Sequence, residues 1–201
     1  MHYGKNGTVG KYDMKEFESQ EICEKEAQKL IASKIKKGYQ ENPTFDFDNC
    51  LYFDVGEYGP QPKTSHPRFV AHFTEEFYYD CGDEGSDTLY EMEEVIRKKH
   101  IIDFATFPKH LIENIWGMHY ISIDTLDEKA VRDMAKEHEM DMMQSDMITY
   151  ATAFGQIKIT GKLDSTLKKN ALLALKRFAI MYSDGQLTET QQTMYNDLLA
   201  F

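Results

Sequence analysis

The chain has 201 residues, 41% of them hydrophobic and 12% aromatic, and its 34 acidic and 23 basic residues give a net charge of −11. A chain of this length buries roughly 70% of the surface that it exposes when unfolded, and the aromatic content argues against intrinsic disorder. A net negative charge repels nucleic acid and anionic membranes except where basic residues cluster. The composition therefore predicts an acidic, folded protein whose partners depend on where its charges lie.

The N-terminal stretch and the cysteines indicate the compartment. No 18-residue apolar run occurs, and the first eleven residues lack the apolar core of a signal peptide, so we expect a cytoplasmic protein without membrane contact. The three cysteines, Cys23, Cys50 and Cys81, are odd in number and widely spaced. This pattern predicts reduced, structural thiols and neither a disulfide framework nor a paired-cysteine zinc site.

The negative charge is concentrated in the middle of the chain. Residues 1–43 hold 8 basic and 7 acidic side chains, residues 44–147 hold 9 and 23, and residues 148–201 hold 6 and 4. The middle segment therefore carries −14, whereas the two ends are +1 and +2. A surface that binds an anion is expected near one of the ends.

A turn-rich stretch opens the chain at Gly4, Gly7 and Gly10. It is followed by a predicted short strand over Tyr12–Phe17 and then by a helix, for which Ser19 is the N-cap and Gly38 the stop. The apolar stripe of this helix consists of Ile22, Cys23, Ala27, Leu30, Ile31 and Ile35, and its last turn carries Lys34, Lys36 and Lys37. Residues 1–43 are therefore predicted to form one segment.

Residues 44–64 are predicted to be a connector with one strand, Cys50–Val55, because prolines and glycines flank it. Downstream, helical spacing of apolar residues predicts a series of helices, with one short strand at His119–Ile123. The predicted helices span 65–79, 86–99, 108–116, 130–154 and 163–182, and a final helix begins with a capping box of Thr188 and Gln191. We therefore predict an α+β fold, in which a small antiparallel sheet and a helix at the N-terminus are attached to a mainly α-helical domain over residues 65–201.

The N-terminal segment resembles a known module. The run YGKNGTVG at residues 3–10 is followed by Phe17, a helix and KKGY at residues 36–39. This order resembles the second half of a WGR domain. The Trp-Gly-Arg signature positions are then occupied by Tyr3, Gly4 and Lys5. Since only two residues precede Tyr3, we expect either a truncated module or one whose sheet is completed by other strands of this chain.

A second resemblance extends over most of the chain. It rests on HPRF at residues 66–69, FYYD at 77–80, DEGSDTL at 83–89 and GQIKITGK at 155–162. These runs look like the pattern of small bacterial proteins of the YfeS-like, MolR-related kind, which carry WGR modules. The resemblance implies a family and no particular reaction.

The WGR resemblance implies a set of candidate binding residues. In the poly(ADP-ribose) polymerases the aromatic and basic residues of the module face nucleic acid, and the matching residues here are Tyr3, Lys5, Lys11, Lys36 and Lys37. An exposed tyrosine can stack on a base, and lysines can meet phosphates. Two alternatives stay open. A protein partner can dock on the same surface, or the lysines only offset the helix dipole while Tyr3 lies in the core of the sheet.

A histidine and a group of carboxylates form the best candidate for metal or acid–base chemistry, namely His66, Asp80, Asp83, Glu84 and Asp87. We favour the interpretation that these carboxylates cap helices. An EF-hand register places Gly82 where an oxygen ligand is needed, which argues against calcium. The remaining histidines, among them His119 and His138, lie too far apart for a local ligand motif. We therefore expect no bound metal and no cofactor.

No nucleophile elbow, phosphate loop or dinucleotide fingerprint is present. We therefore favour a non-enzymatic binding or accessory protein whose WGR-like segment contacts nucleic acid or a protein partner. One alternative is an inhibitor- or immunity-like protein that binds a basic partner through acidic residues of the middle segment, such as Glu75, Glu76, Glu93 and Glu94. The other alternative is a metal-dependent enzyme centred on the His66 group.

Overall fold

A computed structural model describes residues 2–4, 11–12, 15, 17–42, 49–54, 59–79, 83–98 and 103–201. For residues 2, 11, 12 and 83–86 it describes the backbone alone. The chain folds as two compact units, Met1–Leu51 and Tyr52–Phe201. We call them the N-terminal unit and the helical unit.

The N-terminal unit combines one helix with a two-residue strand pairing. His2–Tyr3 (β1) pairs antiparallel with Lys11–Tyr12 (β2). Gln20–Lys36 forms α1, which begins where the Ser19 hydroxyl accepts a hydrogen bond from a first-turn backbone N–H at 3.3 Å. The chain leaves the helix at Gly38, whose φ of +86° lies in the left-handed region that glycine favours. The predicted start and end of this helix are therefore confirmed.

Six α-helices form most of the described part of the helical unit. They are α2 (Pro67–His72), α3 (Asp83–Arg97), α4 (Phe107–His110), α5 (Glu128–Thr160), α6 (Ser165–Tyr182) and α7 (Glu189–Ala200). Short 3-10 turns lie at Pro62–Thr64 and Glu76–Tyr79, and a π-helical turn at Leu111–Ile115 continues α4. Among the described residues, no helix is both long enough and apolar enough to cross a lipid bilayer.

Polar side chains define where the long helices begin. Asp127 caps α5 by accepting from the Ala130 backbone N–H at 2.9 Å, and Asp164 caps α6 in the same way. The predicted capping box of α7 is present, since Thr188 and Gln191 each accept the backbone N–H of the other. These local hydrogen bonds satisfy amides that have no partner within the helix.

The main core of the helical unit lies between α5 and α6, with α2 and α7 packed against them. Its buried side chains are Phe69, Phe73, Ala153, Ile157, Leu167, Ala171 and Leu198. The helix α3 approaches α5 at Gly155, where a Cβ atom would lie 2.9 Å from the Met92 sulfur. Close packing leaves no room for a larger side chain at this contact unless the methionine moves.

The predicted α+β class is wrong, because the described chain is mainly α-helical. About 68% of the described residues are helical. The two-residue pairing of β1 with β2 is the one strand pairing within the described ranges, and it does not make a sheet of the predicted kind. Of the predicted strand Tyr12–Phe17, Tyr12 lies in β2, Lys15 and Phe17 form no strand, and residues 13, 14 and 16 lie outside the described residues.

Two further predicted strands, Cys50–Val55 and His119–Ile123, are wrong wherever the structure describes them. Their backbone groups bond to helices instead of to a neighbouring strand. Tyr52 donates its N–H to a carbonyl near the end of α5, and Ile121 donates its N–H to the hydroxyl of Ser145 in α5. Side-chain burial does not alternate in either segment, since Cys50 and Phe53 are buried and Tyr120 and Ile121 are both half-buried. Neither segment therefore packs as one face of a strand does.

The predicted helix over residues 65–79 is divided. The helix α2 ends at His72, the next residue Phe73 has an extended backbone at φ −100° and ψ 90°, and the chain resumes helical geometry only at Glu76–Tyr79. This break lets Phe73 and Tyr78 face the same core, with ring centroids 5.0 Å apart. The helix after it begins at Asp83, three residues before the predicted cap Ser86.

Candidate functional site

The end of α1 and the first strand bring two tyrosines and a lysine together. The Lys34 Nζ lies 3.0 Å from the centroid of the Tyr3 ring and 5.5 Å from the centroid of the Tyr39 ring. The two rings meet edge to face with centroids 6.0 Å apart. An ammonium group over an aromatic face is attracted by the quadrupole of the ring. We call Tyr3, Lys34 and Tyr39 the tyrosine–lysine cluster.

The cluster adjoins the basic end of α1. Lys36 and Lys37 follow Lys34 in the sequence and are exposed, and cations at this end oppose the negative end of the helix dipole. The acidic residues of the helix all lie in its first half, at Glu21, Glu24 and Glu26. Positive charge and aromatic side chains are thus gathered at one end of α1.

The structure describes the side chains of three of the five residues that were predicted to contact nucleic acid. Tyr3 is half-buried with one ring face covered by Lys34, so it is neither a freely exposed stacking residue nor a core residue. Lys36 and Lys37 are exposed. Lys5 lies outside the described residues, and the side chain of Lys11 lies outside them as well. Tyr39 was not singled out from the sequence, although the KKGY ending contains it.

His66, the histidine of the second predicted site, is buried at the start of α2. Its Nδ1 accepts a hydrogen bond from the Arg68 backbone N–H at 3.1 Å, and its ring packs edge to face on Tyr52. Gly161, with φ +65°, approaches so closely that a Cβ atom there would collide with the imidazole.

The carboxylates of the second predicted site are described only in part. Asp87 is exposed on α3, whereas Asp80 and the side chains of Asp83 and Glu84 lie outside the described residues. His66 is therefore buried and caps α2, and the gathering of the carboxylates around it stays a prediction.

A buried network of charges lies beside the end of α5. Lys158 donates from Nζ to Asp54 Oδ1 at 2.9 Å, and the Asp54 backbone N–H donates to Glu93 Oε1 at 2.8 Å. Arg97 donates to the other oxygen of Glu93 at 3.1 Å. Burial raises the pKa of the Glu93 carboxyl, while its hydrogen bond from the Asp54 backbone and the charge of Lys158 oppose that shift. Paired charges of this kind hold segments together rather than meet a ligand.

The acidic residues suggested for binding a basic partner differ in accessibility. Glu75 and Glu76 are exposed, and Glu94 is half-buried and pairs with Lys98 at 3.1 Å. Glu93 is buried in the network just described. It cannot contribute to a surface that meets another protein.

A second buried ion pair holds the loop that precedes α5. Arg177 and Asp146 are 2% and 0% exposed and lie 2.9 Å apart. Arg177 also donates to the carbonyls of Ser122 at 2.7 Å and Ile121 at 3.0 Å. Burial raises the pKa of the Asp146 carboxyl to about 7, and the Arg177 charge opposes that shift. The loop is therefore fixed to α6 through a charged group in the interior.

Beside this loop, two histidines and an aspartate converge. His119 comes from the loop, and His138 and Asp141 come from α5. One nitrogen or carboxylate oxygen of each lies within 4.8 Å of the others. The two histidines are too distant in the sequence to form a local motif, so the sequence did not predict that they converge. The signal that the sequence does contain is the spacing of three between His138 and Asp141, which places both on one helix face.

Comparison with known proteins shows which class of protein this is and which family it belongs to. Residues 1–46 match the family model described as the WGR domain, so this is a protein with an N-terminal WGR domain. The full chain is 48% identical over 214 residues to "Uncharacterized protein YfeS" of Escherichia coli (strain K12), and the match covers 100% of this chain and 88% of that protein. The chain therefore belongs to the YfeS family, and both predicted resemblances are confirmed. No solved structure matches it.

Proposed function

We propose that this protein is a non-enzymatic binding or accessory protein whose WGR domain contacts nucleic acid through the basic end of α1. The observation that supports the proposal is the tyrosine–lysine cluster next to the exposed Lys36 and Lys37. A WGR domain and a YfeS relative are consistent with an accessory or binding role. The same residues would meet phosphate with their charges and bases with their rings.

Electrostatics favours an anion at this end of the helix. The C-terminus of a helix carries about half a negative charge, whereas Lys34, Lys36 and Lys37 bring three full positive charges to it. Lysines that neutralise phosphates release condensed counterions, so the affinity falls steeply as salt is added. The net charge of −11 does not prevent such contacts, because phosphate binding depends on the local group of lysines.

The two tyrosines have different roles in this proposal. Tyr39 is 39% exposed, so part of its ring is free to stack on a terminal or unpaired base, which contributes about 1–3 kcal/mol. Lys34 covers one face of the Tyr3 ring, so Tyr3 holds Lys34 in place. The proposal therefore assigns stacking to Tyr39 and phosphate contact to Lys36 and Lys37.

The test is fluorescence anisotropy of a short DNA duplex with a single-stranded end, titrated with the full chain at several salt concentrations. The variant Lys36→Glu/Lys37→Glu is expected to weaken binding at least tenfold and to reduce the slope of log affinity against log salt by about 2, one for each lost phosphate contact. Tyr39→Leu is expected to weaken binding to the single-stranded end more than binding to a blunt duplex.

The matched control is Lys162→Glu/Lys169→Glu, which makes the same change of charge at two exposed lysines of the helical unit. We expect the control to bind as the natural chain does, apart from a small effect of net charge. If both double variants weaken binding equally, or if the natural chain does not bind at low salt, the proposal is wrong.

A second candidate, docking of a protein partner on α1, is favoured by a specific observation. Ile31 and Ile35 are 47% and 58% exposed, and Cys23 and Ala27 on the same face are exposed as well. Exposed apolar stripes of this kind mark interaction sites. The variant Ile31→Ser/Ile35→Ser should abolish binding of a protein partner while leaving nucleic-acid binding unchanged, and this difference separates the two candidates.

A further inference from the structure

We propose that His119, His138 and Asp141 form a site for one divalent transition-metal ion of the zinc class. The site lies in the helical unit and is independent of the function proposed for the WGR domain. Its support is the convergence of three ligand-type side chains, the way their backbone is held, and an irregular helix at one of them.

The three ligand groups are already close to coordination geometry. The His119 Nδ1 lies 3.6 Å from the Asp141 Oδ2, and one ligand atom of each of the three residues lies within 4.8 Å of the others. Zinc bonds to histidine nitrogen and carboxylate oxygen are about 2.0–2.2 Å long, so ligand atoms around a tetrahedral ion are about 3.4 Å apart. Because the two histidines are exposed and Asp141 is half-buried, small side-chain rotations reach that separation.

Buried hydrogen bonds hold the backbone that carries these ligands. Ile121, two residues after His119, donates its N–H to the hydroxyl of Ser145 at 2.9 Å. The same hydroxyl donates to the backbone carbonyl of Asp141 at 2.6 Å. Ser145 therefore connects the loop that carries His119 to the turn of α5 that carries Asp141. Ligands on a fixed backbone lose less conformational entropy when they bind an ion.

The helix α5 is irregular at His138. This residue has φ −130° and ψ 27°, outside the helical range, although residues 128–154 contain no proline or glycine. Departures from regular helix have specific causes, and irregular helical turns often coincide with functional sites. A depression of about 500 Å³ opens beside this residue, with Asp124 and Glu137 also on its wall. The irregular turn, the two histidine ligands and the depression thus meet at one place, and Asp141 lies next to His119.

The donor set selects the class of ion. Imidazole nitrogen suits zinc, copper, nickel and iron, whereas magnesium and calcium prefer oxygen ligands throughout. Three protein ligands leave one position of a tetrahedral ion open toward the depression for water or a small ligand. The carboxylates of Asp124 and Glu137 nearby add negative charge that attracts a cation.

The test uses the full chain without an affinity tag, because a polyhistidine tag binds the same metals. Zinc affinity is measured by competition with a chromogenic chelator, and Co²⁺ is added separately to record the visible absorption bands of a tetrahedral complex. We expect one zinc ion per chain. His119→Ala and His138→Ala should each lower the affinity at least tenfold and remove the Co²⁺ bands. Ser145→Ala should lower the affinity about tenfold without removing a ligand, as loss of outer contacts at metal sites does.

The matched control is His110→Ala, since His110 is also an exposed histidine on a helix and pairs with Asn114. It should bind zinc as tightly as the natural chain. The metal-free variants are compared with the natural chain by thermal unfolding, and His119→Asn and His138→Asn serve if an alanine variant does not fold. The proposal is overturned if the natural chain binds no zinc, if the His119 and His138 variants bind as tightly as it does, or if His110→Ala loses affinity to the same extent.

Discussion

The two units of this protein place their charged and apolar residues in opposite ways. In α1 no residue is buried, and both its lysines and its isoleucines reach the solvent. In the helical unit, α5 and α6 bury apolar residues along much of their length and also bury Asp146, Lys158 and Arg177. The helix α1 is therefore defined by its cap, its dipole and its terminal glycine, whereas α5 and α6 depend on packing, as most protein helices do.

This difference separates residues that are able to bind a ligand from residues that hold other parts of the chain in position. Exposed lysines such as Lys36 and Lys37 are available to a ligand, because their ammonium groups reach the solvent and can exchange water for a phosphate oxygen. Buried ions such as Arg177 and Asp146 are already desolvated and paired, so they can only hold other groups in place. The proposed nucleic-acid contact therefore belongs to the N-terminal unit, whereas the buried ion pairs stabilise the packing of the helical unit.

The largest effect is expected from Arg177→Met. The change leaves the buried Asp146 carboxylate unpaired and removes donors from two loop carbonyls, so the free energy of unfolding should fall by about 3–5 kcal/mol. Chemical denaturation measures this. The control Arg132→Met removes the exposed pairs with Glu128 and Asp184 and should have a much smaller effect, because water screens them. An equal loss of unfolding free energy in the two variants would show that the buried pair does not stabilise the helical unit.

The next effect compares two isoleucines. Ile157 is fully buried between α5 and α6, and its replacement by alanine should lower the free energy of unfolding by about 2–5 kcal/mol. Ile31→Ala on α1 should change it by no more than about 0.5 kcal/mol, because its side chain is exposed and alanine favours helix. A cost at Ile31 as large as that at Ile157 would mean that the stripe of α1 is covered in solution.

The smallest effect concerns the pH dependence of stability at Glu93. Burial raises the pKa of this carboxyl above its ordinary value of 4.5, so the folded chain keeps a proton at pH values where the unfolded chain has released it. Stability from this group is therefore lost as pH rises from about 4.5 through the raised pKa. Glu93→Gln cannot titrate, so the difference in unfolding free energy between natural chain and variant should shift in favour of the variant as pH rises.

The control for this pH series is Glu94→Gln, which replaces a neighbouring and more accessible carboxyl. It shows how much the loss of one acidic side chain of α3 changes the free energy of unfolding by itself. A Glu93→Gln variant that loses stability relative to the natural chain as pH rises would show that pairing with Lys158 and Arg97 outweighs burial.

Local sequence patterns were sufficient for part of the fold. The cap at Ser19, the left-handed Gly38 and the capping box of Thr188 and Gln191 involve residues only a few positions apart, so they could be recognised without knowing the fold. The WGR resemblance was recognised in the same way, since its residues form short runs near the N-terminus. The strands at Cys50–Val55 and His119–Ile123 were predicted wrongly, because a short run of residues and its flanking turns do not show what lies beside it. Both segments donate backbone hydrogen bonds to α5.

By itself, then, the amino-acid sequence determined the family, the WGR domain and most helix positions, since these depend on contiguous residues and on caps that act within one turn. Only the tertiary structure decided that Glu93 is buried, that Arg177 holds the loop before α5, and that His119 reaches His138 and Asp141. Those contacts join residues from different segments of the chain. Their formation depends on how the helices pack, which the spacing of residues along the chain does not specify.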